Sequence, residues 1–278
     1  RCTRTRPAER PGPGGRPRRR RPAARPVAPL LPWGVPNTPH APPPPAPRAL
    51  RTPAGDVPLD EYRLALGGRA WGVLHTAAVI THLDEQRYLS EPRDRLPYGV
   101  ALWPAAVALA HEVAARAGEL AGRQVLELGA GTGLPGIVAA SLGARVTQTD
   151  RLPLALDVCR MNGARNGVTG VAYRLADWTA WDDAERYDVV LGADVLYAEA
   201  LHPALRAIFE ANLAPGGRIL LADPFRKASL ALLEAMEADG WAVALSKWTV
   251  GEPPGPGADP EFEGPRPVGV YELRRAGP

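Results

Sequence analysis

From Asp56 onward, short apolar runs alternate with longer segments whose apolar residues recur at helical spacing. "RQVLELGA", "RVTQTD", "VAYRLAD", "YDVVLGAD" and "RILLADP" predict buried strands. Between and after them, "LPGIVAASLGA", "LPLALDVCRMNGARNG", "HPALRAIFEANLAPGG" and "KASLALLEAMEADG" predict helices. Gly143 caps the first of these, and the Asn-Gly steps at Asn162 and Asn166 read as stops in the second. Upstream, "GVALWPAAVALAHEVAARAG" is an apolar helix ending at Gly118. Pro104 sits in its first turn, where the missing donor would have no partner anyway. "YRLALGGRAWGVLHTA" folds as a hairpin about Gly67-Gly68, over residues 62–76. The final runs, "WAVALSKW" and "VGVYELRR", have no helix between them and pair antiparallel. Strands linked by right-handed helical crossovers give an α/β, doubly wound fold. The expected sheet is seven-stranded and mostly parallel, with an antiparallel last strand: a Rossmann-like architecture with a small N-terminal hairpin.

Composition divides the chain near Gly55. Residues 1–55 hold 12 of the 31 arginines, 16 of the 32 prolines and one acid, Glu9. That extension carries +11, so the remainder carries −8 of the total of +3. Proline removes donors, and few apolar residues remain to offset ordering entropy, so residues 1–55 are expected to be a disordered, partly polyproline II extension. Residues 56–278 are the expected folded domain. The chain opens on Arg1, its first methionine is Met161, and proline at this density disfavours a mitochondrial presequence. No apolar run reaches spanning length, which predicts a soluble body and no membrane partner. Two isolated cysteines, Cys2 and Cys159, fit a reducing cytoplasm, and the scattered histidines form no metal site.

The stretch "VLELGAGTGLPG" carries the chemistry. A phosphate-binding P-loop needs Lys-Ser or Lys-Thr after its last glycine, but Leu134 and Pro135 follow Gly133. A dinucleotide loop wants its third glycine where Leu134 stands. Glu127, two residues before Gly129, would repel a pyrophosphate and could hold an amine-bearing ligand. S-adenosylmethionine has a sulfonium, an amine and a ribose, and no phosphate. The next strand ends in Asp150, placed to accept from both ribose hydroxyls; the third ends in Asp177 and Trp178, an acceptor for the adenine amine and a cover for its ring.

These motifs, in this order and together with "YDVVLGADVLY", closely resemble class I, seven-stranded, S-adenosylmethionine-dependent methyltransferases. Within that class they are similar to the methyltransferase-16, METTL21-like group of protein-lysine methyltransferases. "GVALWPAA" resembles the same group, whose tryptophan before the first motif borders the cofactor; here that is Trp103. The likeness runs from about Leu96 to Arg226. It implies a cofactor site of Trp103, Glu127, Gly129, Ala130, Gly131, Thr132, Gly133, Asp150, Arg151, Asp177, Trp178 and Ala193.

The resemblance also implies that "ADVLY" lines the acceptor channel, with Asp194 and Tyr197 as the catalytic candidates. Asp194 would orient a lysine amine or take its proton, and Tyr197 would position it by hydrogen bond or cation–π contact. The plainer alternative makes Asp194 a helix N-cap and Tyr197 packing. Arg226, in "ADPFR", meets either an acidic substrate or a surface partner. The absence of prolines in "ADVLY" and a body charge of −8 argue against nucleic acid. The expected acceptor is a protein lysine, with a small-molecule N- or O-acceptor as alternative; a SAM-binding module without activity would show an eroded "DVLY". The chain is expected to be a monomer.

Overall fold

The computed structural model describes residues 2–5, 49–52, 55–90, 98–252 and 259–275. It opens with β1 (Cys2–Thr5), a short hairpin of β2 (Ala49–Thr52) and β3 (Gly55–Pro58), and a longer hairpin of β4 (Asp60–Leu66) and β5 (Arg69–His75). Helices α1 (His82–Ser90) and α2 (Pro104–Ala115) follow. The alternating part runs β6 (Gln124–Leu128), α3 (Leu134–Ser141), β7 (Arg145–Asp150), α4 (Pro153–Arg165), β8 (Ala172–Leu175), β9 (Tyr187–Ala193) and α5 (His202–Asn212). It closes with β10 (Leu213–Asp223), α6 (Lys227–Ala238), β11 (Trp241–Val250), α7 (Pro260–Glu263) and β12 (Arg266–Arg275).

The main sheet has the order β1-β11-β12-β10-β9-β6-β7-β8. From β10 to β8 neighbours pair in parallel, and β12 enters antiparallel between β10 and β11. The expected seven-stranded sheet with its antiparallel last strand is therefore present, and β1 adds an eighth strand antiparallel to β11. Most of the expected disordered extension falls outside the described residues; at its described ends, Cys2–Thr5 and Ala49–Thr52 are strands. Among the described residues no helix is long and apolar enough to cross a membrane.

Both faces of the sheet are buried, which is why its strands read as apolar runs rather than alternating ones. On β6, Val125 joins a core with Leu109 of α2 and Ile137 of α3, whereas Leu126 and Leu128 join one with Ile208 of α5 and Met236 of α6. Each such buried aliphatic side chain contributes about 1.5–3 kcal/mol. Glu127 breaks the pattern, being 2% exposed between the buried Leu126 and Leu128. Its Oε2 accepts from Gln148 Nε2 at 2.6 Å and from the Gly136 N–H at 3.2 Å. A Cβ at Gly136 would stand 2.3 Å from Glu127 Oε2, so only glycine lets α3 come this close. Gln148 Nε2 also donates to Gly133 O at 2.8 Å, fixing the glycine loop from beneath.

The longer hairpin is fastened to α4 by two asparagines one turn apart. Asn162 accepts from Leu74 N–H at 2.6 Å and donates to Leu74 O at 3.0 Å and Thr132 O at 2.8 Å. Asn166 accepts from Gly72 N–H at 3.1 Å and donates to Gly72 O at 2.8 Å. The side-chain amides thus complete the free edge of β5 as a further strand would. This corrects the reading of Asn162 as a stop: α4 continues to Arg165 because Asn162 finds its partners across the fold.

Asn162→Ala would leave Leu74 and Thr132 unpaired, and is expected to cost roughly 2–4 kcal/mol in urea unfolding. Burial pushes the Glu127 carboxyl up to about 8, overcoming the hydrogen bonds from Gln148 and Gly136 that lower it. A proton held more tightly folded than unfolded makes stability fall as pH rises from the ordinary carboxyl value of 4.5 through about 8. Glu127→Gln removes that titration, so the drop in Tm between about pH 5 and about pH 9 should shrink in the variant. An unchanged drop would contradict the assignment.

Candidate active site

The carboxyl ends of β6 to β10 open on one cavity of about 700 Å³. Gly129, Ala130 and Gly131 form its floor after β6, Asp150 and Arg151 follow β7, Asp177 and Trp178 follow β8, and Ala193, Asp194 and Tyr197 follow β9. Trp103 at the start of α2 closes the opposite side. The topology thus gathers eleven expected residues on one sheet edge, where ligands of such folds collect.

The floor is built from backbone. Gly129 and Gly131 have φ of 60° and 56°, a region that favours glycine. A Cβ at Gly129 would lie 3.1 Å from the Trp178 ring, and one at Gly131 would lie 3.1 Å from Gly99 O. Asp150 is set by two backbone donors, Gly131 N–H to Oδ2 at 3.0 Å and Leu152 N–H to Oδ1 at 2.9 Å. Burial raises its carboxyl above the usual range, and these donors moderate the rise. Each oxygen keeps a lone pair for a diol. Asp177 is exposed, and Thr179 N–H and Oγ1 donate to its Oδ1 at 2.8 and 2.7 Å. Those bonds hold its carboxyl below the usual range and leave Oδ2 for another donor. Trp103 Nε1 donates to Tyr98 O at 3.3 Å, and the two rings stack with centroids 6.3 Å apart.

At the other end Asp194 has φ 54° and donates its N–H to Ala222 O at 2.8 Å. It is not a helix N-cap, because α5 begins only at His202, after a turn over Glu199–Leu201. Nor is Tyr197 packing: it is 55% exposed. Arg226 bonds both oxygens of Asp194, at 3.0 and 2.8 Å, so its partner is an acid of the cavity wall and not a surface group.

Three further expected cofactor residues stand behind the cavity lining. Glu127 lies below the loop, bound to Gln148 and Gly136, because it shares the α3-facing side of β6 with Val125. Thr132 is 2% exposed and turned inward, its carbonyl held by Asn162. Gly133 packs on α4, where a Cβ would meet Cys159 Sγ at 2.8 Å. Sequence reasoning missed Glu85, Tyr98, Gly99, Ala101, Ala106, Leu152, Ala176, Val195 and Leu201 on the cavity wall. Glu85 had a readable signal: Thr81 and Asp84 form a capping box, with Asp84 N–H donating to Thr81 Oγ1 and Thr81 N–H to Asp84 Oδ2, which starts α1.

The wall fits an adenosyl and amino-acid ligand better than a phosphate. Its acids Glu85, Asp150, Asp177 and Asp194 outnumber Arg151 and Arg226, and glycine backbone leaves room for a close approach.

A family model described as lysine methyltransferase matches residues 89–237. Protein N-lysine methyltransferase METTL21A of Danio rerio is 38% identical over 173 residues, covering 59% of this chain and 77% of its own length. EEF1A lysine methyltransferase 3 of Mus musculus is 37% identical over 136 residues, 48% of this chain and 58% of its own. Histone-arginine methyltransferase METTL23 of Xenopus laevis is 39% identical over 106 residues, 36% and 45%. The chain spans about half the length of these last two relatives. With more than half of its residues matched by the family model, on the sheet edge that carries the cavity, the chain is an enzyme of the lysine methyltransferase family.

Proposed function

We propose that this cavity seats S-adenosylmethionine and that the protein transfers its methyl group to a lysine amine of a protein substrate. One observation carries the reading: a single cavity joins the Asp150, Asp177 and Trp178 end, suited to adenosine, to the Asp194 and Tyr197 end, suited to an amine. The relatives that act on lysine supply the acceptor class. Two free cysteines favour a reducing compartment, the cytoplasm.

When bound, the cofactor supplies a methyl group on a sulfonium, open to in-line displacement. The chain's own residues bind and aim. Gly129 and Gly131 let backbone close on the amino-acid portion, Asp150 accepts from the ribose hydroxyls, and Asp177 accepts from the adenine amine beside Trp178. Asp194 accepts an N–H of the incoming amine, which turns the nitrogen lone pair toward the methyl carbon. Tyr197, exposed at the mouth, steadies the lysine stem.

Incubation with methyl-labelled S-adenosylmethionine and cell-extract protein, followed by acid hydrolysis, should yield labelled methyllysine; label confined to small molecules would overturn the lysine acceptor. In calorimetry, Asp150→Asn should weaken cofactor binding about 10- to 100-fold, and Gly131→Arg should abolish it. Because burial raises the Asp150 carboxyl, cofactor affinity in the parent should fall as the solution is acidified and the carboxylate takes its proton. Affinity unchanged in both variants would remove the cofactor from this cavity.

A further inference from the structure

Asp194, the acid at the acceptor end, is not a free carboxylate. Its side chain is 7% exposed and Arg226 grips both oxygens, Nε to Oδ1 at 3.0 Å and Nη2 to Oδ2 at 2.8 Å. Both loops that deliver the pair are held in unusual backbone. Among the described residues, Asp194 at φ 54° and Phe225 at φ 65° are the two non-glycine residues with positive φ. Arg226 N–H donates at 2.7 Å to Asp223, which is fully buried and takes a second bond from Ser229 Oγ at 2.6 Å. A built, strained, two-loop arrangement around one ion pair marks a functional constraint.

We propose that Arg226 is a positioning residue that neutralises Asp194 and so keeps the acceptor amine uncharged at the moment of transfer. The inference rests on the amine-transfer reading above. An ammonium has no lone pair to give. It must lose its proton to solvent; the nitrogen lone pair then forms the N–C bond while the C–S bond breaks and its electron pair stays on sulfur. The sulfonium becomes a thioether and the product amine carries the positive charge. An unpaired Asp194 would hold the ammonium form, because an opposite charge within a few ångströms raises an amine's pKa by about 1–3 units. With Arg226 in place, each oxygen of Asp194 keeps one lone pair that can accept an amine N–H without net charge to stabilise the proton.

The surroundings sharpen this balance. Arg226 feels Asp223 at the end of β10 and Glu85 of α1, as well as Asp194. Glu85 is tied in turn to Arg266 of β12 at 3.2 Å. Tyr271 of β12 feels Asp223, Tyr197 lines the mouth, and His202 of α5 bonds Leu196 O at 3.0 Å. Asp150, Arg151 and Asp177 line the rest of the cavity. Without Arg226 the acceptor end would carry a surplus of acid.

The test is binding of n-butylamine to the protein saturated with S-adenosylhomocysteine, by calorimetry from about pH 7 to about pH 11, across the ordinary amine pKa. The parent should bind more tightly as pH rises and neutral amine becomes abundant. Arg226→Gln should bind more tightly at neutral pH and lose that rise, and the ascending limb of its kcat with a lysine peptide, where the amine loses its proton, should move up by about one unit or more. Arg226→Lys, which keeps the charge, should retain the parent's pH dependence. Asp194→Asn, which frees Arg226, should move in the opposite sense, and it decides the matter if Arg226→Gln does not fold. The same pH dependence in the parent, Arg226→Gln and Asp194→Asn, or no amine binding at all, overturns the proposal. A parent that binds neutral amine but labels no lysine keeps it and sinks the lysine acceptor instead.

Discussion

The hydrogen bonds beneath the glycine loop decide where the rest of the site can stand. Glu127 of β6 and Gln148 of β7 meet at 2.6 Å, and between them they hold Gly136 N–H and Gly133 O. This buried polar node replaces the apolar contact expected between two central strands. Glu127 Oε2 and Gln148 Nε2 satisfy one another, the condition for a polar group to be tolerated in a core, whereas Gln148 Oε1 is buried with no partner among the described residues. With α3 pulled onto the sheet, Gly129 to Gly131 project over the strand ends, and Gly131 N–H reaches Asp150. The node that sits under the loop thus fixes a carboxylate on the cavity wall.

A second chain of contacts ties the periphery to the same loop. Asn162 joins Leu74 of the hairpin to Thr132 of the loop, so the hairpin is coupled to the cavity floor through one buried amide. Arg165 adds an ion pair from α4 to Glu61 of β4 at 2.7 Å. The hairpin leads directly into the segment that supplies Glu85, and beyond it Tyr98 and Trp103. A segment outside the glycine-loop motif therefore builds the side of the cavity facing the sheet edge.

Local features were legible in the sequence, and long-range ones were not. The hairpin, the strand-and-helix alternation and the antiparallel last strand follow from periodicity and turn residues. Asp150, Asp177 and Trp178 follow from strand ends, because a parallel sheet brings such ends together. Glu127, Thr132 and Gly133 stand behind the cavity lining, because a motif does not tell which side of a strand or peptide faces the open edge. Asn162 looked like a stop because Asn-Gly is a local signal, whereas its partners Leu74 and Thr132 lie 88 and 30 residues away. Arg226 was visible as a strand-end residue, but its grip on Asp194 depends on two strained loops that no spacing encodes.

The most direct measurement is a crystal structure of the protein with S-adenosylhomocysteine bound. The account predicts adenosine between Trp178 and Asp150, the amino-acid portion over Gly129 and Gly131, and the sulfur turned toward Asp194. A ligand seated with its adenosine at Asp194, or outside this cavity in the groove between α5 and α6, would contradict it.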